Sequence, residues 1–125
     1  MGEGAQAREE IQVREEGGVA EFAPVGKVSD LQPGQMKWVA VDRERVLLVN
    51  VAGAFYALKD QCGHQSAPLS RGKLHGHTVE CPLHYACFDV RTGRLLNGPV
   101  GVDVPIYEVR IEGDTVFVKG GTDDW

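Results

Sequence analysis

The sequence predicts an all-β fold, an antiparallel β-sandwich or barrel base with an inserted, loop-rich subdomain. Three observations point there. Gly makes up 16 of the 125 residues, about twice its usual share, which demands many tight turns. Short runs of β-branched and aromatic residues, separated by turn residues, occupy about residues 19–58 and 106–119, the texture of strands joined by hairpins. Between them, from about residue 60 to 99, apolar alternation largely stops, and this stretch holds all three Cys, all four His, three Pro and five Gly.

In chain order, residues 1–18 carry seven charges and few large apolar side chains, the composition of a disordered or frayed acidic tail. Residues 19–121 form one domain, and 122–125 a C-terminal tail. Residues 20–26 read as the first strand, with Pro24 placing it at an edge or a bulge because proline cannot donate to a ladder. Residues 29–34 turn, with Ser29 as the cap of one helical turn. Met36–Val41 is a strand in which Trp38 alternates with Met36 and Ala40 as framework packing. Residues 42–45 turn, 46–51 run back, and Ala52-Gly53 makes a hairpin turn into a strand over 55–58. Inside the insert, Thr78–Glu80 and residues 88–90 read as small hairpin strands, with 91–94 as a turn. Residues 106–111 and Thr115–Lys119, joined through Gly113-Asp114, close the base.

Size and charge bound the function. A chain of 125 residues is one domain's worth. Thirteen basic against 18 acidic residues give a net charge of −5, which repels phosphate backbones and argues against nucleic-acid binding. No apolar run approaches the roughly 18 residues of a membrane span, and the N-terminus shows neither a secretory signal nor a twin-arginine pair. A cytoplasmic location is expected. Three cysteines are too few, and odd in number, for a disulfide scaffold.

A loop-rich stretch longer than about 15 residues needs an organising principle other than apolar packing, and metal ligation supplies one. Cys62-Gly63-His64 and Cys81-Pro82-Leu83-His84 stand in the insert, with 16 residues between the pairs. Each pair offers one thiolate and one imidazole on a tight loop, a donor set for zinc, copper or iron–sulfur rather than magnesium or calcium. Zinc modules favour paired Cys with the His pair elsewhere. One Cys and one His per loop suits a two-iron cluster, with one Cys from each loop on one iron and one His from each on the other. A zinc-stabilised interaction module stays open beside it.

With Gln65-Ser66-Ala67-Pro68-Leu69 after the first pair, Arg71-Gly72-Lys73-Leu74, Cys81-Pro82-Leu83-His84, Phe88-Asp89-Val90-Arg91-Thr92-Gly93 and Gly98-Pro99, the sequence resembles the Rieske [2Fe–2S] ferredoxins. Their signature is C-x-H and, after a similar spacer, C-x-x-H, with a proline loop covering the cluster from a third side. The resemblance spans residues 19–119. Ser66 and Tyr85 stand where Gly is usual and add bulk near the loops. The resemblance implies a Rieske fold and one [2Fe–2S] cluster per chain, held by Cys62 and Cys81 on the inner iron and His64 and His84 on the outer. The insert, residues 60–99, becomes a two-loop cluster-binding subdomain.

The high-potential relatives carry two further cysteines bridging the loops, and the matching positions here are Ala67 and Leu83. They also place Ser and Tyr hydroxyls near the cluster, where this chain has Ala86 and Phe88. Hydrogen bonds to cluster sulfur raise the potential, so without them the expectation is the low end of the Rieske range, roughly −150 mV.

By resemblance the chain is a soluble electron carrier and not itself an enzyme. It would take single electrons from a flavin- and NAD(P)H-dependent reductase and pass them to a terminal oxygenase. The small Rieske subunit of an assimilatory nitrite reductase is the alternative. An oxygenase would need a second site of two His and a carboxylate. Only His75 and His77 remain, and both read as the exposed turn of a hairpin. Gln65, Pro68, Leu69, Tyr85, Pro99 and Val100 are expected to form a docking rim. Cys87 reads as a small apolar filler beside Phe88.

Overall fold

Residues 46–51, Val-Leu-Leu-Val-Asn-Val, show no polar alternation, as expected of a strand covered on both faces. A computed structural model, which describes residues 22–62, 67–82, 86–98 and 102–120, places them at the centre of three layers. The strands are β1 (Phe22–Lys27), β2 (Met36–Val41), β3 (Glu44–Val51), β4 (Ala54–Lys59), β5 (Lys73–His75), β6 (Thr78–Glu80), β7 (Cys87–Asp89), β8 (Leu95–Asn97), β9 (Ile106–Tyr107), β10 (Val109–Glu112) and β11 (Thr115–Lys119). They form antiparallel sheets in the orders β1-β11-β10, β2-β3-β4-β9 and β5-β6-β7-β8. The fold is all-β, with the first two sheets as a sandwich base and the third as the inserted subdomain. Residues 1–21 and 121–125 lie outside the described residues.

Strand β3 divides the core. Val46 and Leu48 face the first sheet and pack with Val41, Ala57, Tyr107, Val116 and Val118. Leu47, Val49 and Val51 face the other way, with Leu58, onto Leu69, Val79, Phe88, Val90 and both buried cysteines of the insert. Side chains alternate along a strand, so one strand serves two cores. Its buried polar residue, Asn50, is satisfied: its side chain donates to the Leu31 carbonyl (2.7 Å) and accepts from the Gly53 N–H (2.8 Å). The turns entering and leaving β3 are two-residue hairpins, Asp42-Arg43 and Ala52-Gly53, with positive φ at all four positions, the geometry whose twist matches paired strands.

The expected bulge is present: the β1–β11 register shifts between Pro24 and Gly26. Three readings differ from the structure. Ser29 does not cap a helical turn. The turn is a 3-10 helix over Val28–Asp30 with Lys27 at its cap position, and the Ser29 hydroxyl donates to Asp114 instead (3.0 Å). Trp38 is 48 % exposed although it lies opposite Leu47 on the edge strand β2; its ring lies beneath the Arg45 guanidinium, 4.0 Å from the ring centroid, and is not framework packing. Residues 106–111 are two strands, because the chain leaves the central sheet after Tyr107, paired to Ala57, and joins the first sheet at Val109, paired to Val118.

Candidate metal centre

Cys62 and Cys81 open two loops of the same construction. The Cys62 N–H donates to the Ala67 carbonyl (3.0 Å) and the Cys81 N–H to the Ala86 carbonyl (2.7 Å). Each loop thus spans six residues, cysteine first and alanine last. Both cysteines have no exposed surface, and their side chains hydrogen-bond to each other. Burial pushes the Cys62 thiol up to about 12, and the hydrogen bond and charge of Cys81 push the same way. The Cys62 thiol therefore resists ionisation in its buried site. A soft cation there reverses this balance, since a coordinating thiol is deprotonated outright. The pair fits a thiolate-ligated metal group, and the chain holds no disulfide that would compete for it.

His64 and His84 lie outside the described residues, as do Gln65, Ser66, Leu83, Tyr85, Pro99 and Val100. The described residues show how the loops carrying them are seated. Ala86, Phe88 and Leu69 are fully buried below the cysteines, with Val79 from β6 and Leu47 and Leu58 from the base. Two glycines permit close approach. A Cβ on Gly72 would overlap the Glu80 carbonyl oxygen, so the segment leaving the first loop lies against β6. A Cβ on Gly98, whose φ is +122°, would stand 2.5 Å from the Ala86 Cα. The entrance to the expected proline loop therefore presses on the end of the second ligand loop.

A carboxylate missed by sequence reasoning stands beside the first loop. The Asp60 side chain has no exposed surface. It accepts from the Ser70 N–H (2.6 Å), the Ser70 hydroxyl (2.7 Å) and Arg45 Nε (2.8 Å). The available signal was an Asp closely following the apolar run Phe55-Tyr56-Ala57-Leu58, where a buried charge needs partners. A cavity of about 380 Å³ flanks this cluster, lined by Arg43, Arg45, Lys59, Asp60, Gln61 and Pro68 among others.

Other expected positions sort clearly. Leu69 does not belong to a docking rim: the 3-10 turn Leu69–Arg71 directs it into the core, fully buried. Pro68 is half-buried and lines the cavity. His75 ends β5 and His77 lies in the two-residue turn, Gly76-His77, that leads into β6. His75 Nε2 lies 3.4 Å from Glu80, and the His77 ring stands edge-on to Tyr56 at 6.0 Å. Cys87 is half-buried and pairs with Glu80 across the sheet. Burial, and then the Glu80 charge, hold its thiol above the usual range.

The comparisons with known proteins agree with this geometry. A family profile described as the Rieske [2Fe-2S] domain matches residues 21–108. The ferredoxin component of biphenyl 2,3-dioxygenase from Rhodococcus jostii (strain RHA1) is 43 % identical over 94 residues, which are 74 % of this chain and 88 % of that protein. Among solved structures, the ferredoxin of carbazole 1,9a-dioxygenase from Nocardioides aromaticivorans IC177 superposes with a TM-score of 0.77 at 32 % identity, covering 80 % of this chain and 98 % of that one. A chain from a complex of reduced oxygenase and oxidized ferredoxin in carbazole 1,9a-dioxygenase gives a TM-score of 0.77 at 35 % identity, over 82 % of this chain and 95 % of that one. The choice between zinc and iron–sulfur is thereby decided: the chain belongs to the Rieske [2Fe-2S] domain family, and its prosthetic group is a [2Fe–2S] cluster.

Proposed function

We propose that this chain is a one-electron carrier, the ferredoxin component of a ring-hydroxylating oxygenase system. One observation carries the reading: the paired buried cysteines occur in a chain 43 % identical to such a component along 88 % of that component's length. Cys62 and Cys81 would hold one iron and His64 and His84 the other, the division expected of a Rieske centre. When bound, the cluster accepts and returns a single electron.

The chain's own residues set the conditions for that exchange. Cys62 and Cys81, on loops closed by matching backbone bonds, form the buried side of the site. Ala86 and Phe88, fully buried, offer no hydroxyl to sulfur and favour a low potential. A low potential suits a carrier filled by a flavin- and NAD(P)H-dependent reductase and emptied into a terminal oxygenase. The chain is a component of that system and does not itself transform the aromatic substrate.

Anaerobic reduction tests the reading. The purified protein is expected to be reddish brown, to take up one electron per chain and to re-oxidise when mixed with a ring-hydroxylating terminal oxygenase. His64→Ala or His84→Ala should remove the chromophore, and Cys87→Ser should keep it. A colourless wild type, or a His84→Ala protein with an unchanged spectrum, refutes the assignment.

A further inference from the structure

The two ligand loops are built alike but anchored differently. The second, from Cys81 to Ala86, is the tip of a hairpin. Strands β6 and β7 flank it, with Glu80 opposite Cys87, Val79 opposite Phe88 and Thr78 opposite Asp89. Ladder pairing secures both of its ends. The first loop, from Cys62 to Ala67, has no such frame. Strand β4 ends at Lys59, and Pro68 and the 3-10 turn Leu69–Arg71 follow the loop. Pro68 has no N–H to offer a ladder.

The Asp60 carboxylate occupies the place of the absent ladder. It lies two residues before Cys62 and accepts both the N–H and the hydroxyl of Ser70, three residues after Ala67, at 2.6 and 2.7 Å. Residues 61–69 are thus gathered into a loop tied at its neck by a side chain. The tie is itself fixed. The Asp60 N–H donates to the Arg45 carbonyl at 3.0 Å, Arg45 Nε donates back to the carboxylate at 2.8 Å, and the guanidinium rests on Trp38. The paired charge is what permits a fully buried carboxylate here.

We propose that Asp60, backed by Arg45, is the positioning residue of the first ligand loop, replacing with one carboxylate the β-ladder that frames the second. Its ties to Ser70 hold the segment bearing Cys62 and His64 in register with the opposing loop, and so govern how long the cluster is retained. This inference rests on the ligand assignment proposed above. The molecule supplies its own control outside the insert: Asp114 accepts the Ser29 N–H (3.2 Å) and hydroxyl (3.0 Å) with the same pair of donors, on the exposed surface of the base.

The test compares Ser70→Ala, Ser70→Thr, Asp60→Asn and Ser29→Ala as cluster-loaded proteins. Cluster loss is followed by visible absorbance in the presence of an iron chelator, the reduced state by electron paramagnetic resonance, and folding by far-ultraviolet circular dichroism. Ser70→Ala, lacking one hydrogen bond to an ionised carboxylate, should lose its cluster about tenfold faster than wild type. Asp60→Asn should lose it faster still, with a broadened resonance. Ser70→Thr, which keeps both donors, should restore the wild-type rate, and Ser29→Ala should match wild type in retention. The proposal is overturned if Ser70→Ala and Asp60→Asn release the cluster at the wild-type rate with an unchanged resonance. It is equally overturned if Ser29→Ala speeds release as much as Ser70→Ala, which would mark a general loss of stability. Should Asp60→Asn fail to fold, the Ser70 pair decides, since it alters only a hydroxyl or a methyl group. A wild-type protein without iron refutes the ligand assignment itself, an outcome separate from a wild type that holds its cluster beside indifferent variants.

Discussion

Replacing Gly98 by Ala puts a methyl group where the second ligand loop already stands. A Cβ there lies 2.5 Å from the Ala86 Cα, 2.8 Å from its Cβ and 3.3 Å from its N, on a backbone with φ of +122°. An L-residue in that sparsely populated region costs roughly 1–3 kcal/mol. The nearest contact falls about 1 Å short of ordinary carbon–carbon separation. Only a shift of backbone relieves it, because the obstruction is not the end of a flexible side chain. Overpacking of this kind costs roughly a further 1–3 kcal/mol. The sum, about 2–6 kcal/mol, is a large share of the 5–15 kcal/mol that holds a domain of this kind together.

Gly76→Ala separates the two terms. Gly76 has a φ of +60° and nothing within 4 Å of its Cβ position, so only the backbone cost of about 1–2 kcal/mol applies. Denaturant titrations read by circular dichroism and by visible absorbance compare the variants. Gly98→Ala should be less stable than Gly76→Ala by at least about 1 kcal/mol. It should also bleach at a denaturant concentration below that which unfolds its strands, because Ala86 closes the ligand loop through its bond to the Cys81 N–H. Equal midpoints, with bleaching and unfolding coincident in both, would refute the close approach of this loop to the metal centre.

Three further outcomes are expected. The Asp89 carboxylate accepts from the Arg91 N–H (2.9 Å), Nε (3.0 Å) and Nη2 (2.9 Å), and the Arg91 hydrogen bond holds it below the usual aspartate range. A carboxyl depressed on folding stabilises above its unfolded value and loses that contribution as pH falls through the folded one. The stability gap between wild type and Asp89→Asn should therefore be open at pH 7 and close below about pH 4, as read from denaturant midpoints, whereas a gap constant into acid contradicts it. Cys87, held above the usual thiol range, should react with iodoacetamide at pH 8 more slowly than a small free thiol, and a faster reaction would show an activated thiolate. Ala86→Ser with Phe88→Tyr should raise the potential by roughly 40 mV for each 1 kcal/mol of bonding gained on reduction, measured by protein-film voltammetry. Because both sites are fully buried, hydroxyls that find no acceptor should instead cost about 1–3 kcal/mol each, and a variant unchanged in both properties contradicts the geometry.

Much of the base was legible because its strands obey local rules. Met36–Val41 and Thr78–Glu80 lie where their patterns place them, and Pro24 marks a real bulge. The division of residues 106–111 between two sheets was not legible, since a strand that changes partners keeps the same alternation throughout. Strands β5, Lys73–His75, and β8, Leu95–Asn97, escaped notice because neither carries the β-branched residues that mark Thr78–Glu80. Trp38 and Leu69 were misassigned for opposite reasons. An aromatic residue on an edge strand can face water when a cation covers it, and a leucine in a ligand loop can turn inward when a 3-10 turn carries it there. The cysteines of the site were legible because soft donors at that spacing have few other uses. Asp60 was not, because its role depends on Ser70 and Arg45, which only the fold brings together.

The division of β3 between two cores explains how a loop-rich insert can hold a metal group. A subdomain of four three-residue strands, Lys73–His75, Thr78–Glu80, Cys87–Asp89 and Leu95–Asn97, has little apolar surface of its own, and isolated hairpins are marginal in water. It borrows a wall from Leu47, Val49 and Val51, whose alternate neighbours Val46 and Leu48 are anchored in the other core. The cysteine loops rise from that wall, with Leu69 and Phe88 between them and the strand. Binding energy at the cysteines is then also folding energy for the insert, whereas the base keeps a core that contains no ligand. The insert is therefore the part whose stability follows the metal, and the base the part that fixes where the metal is held.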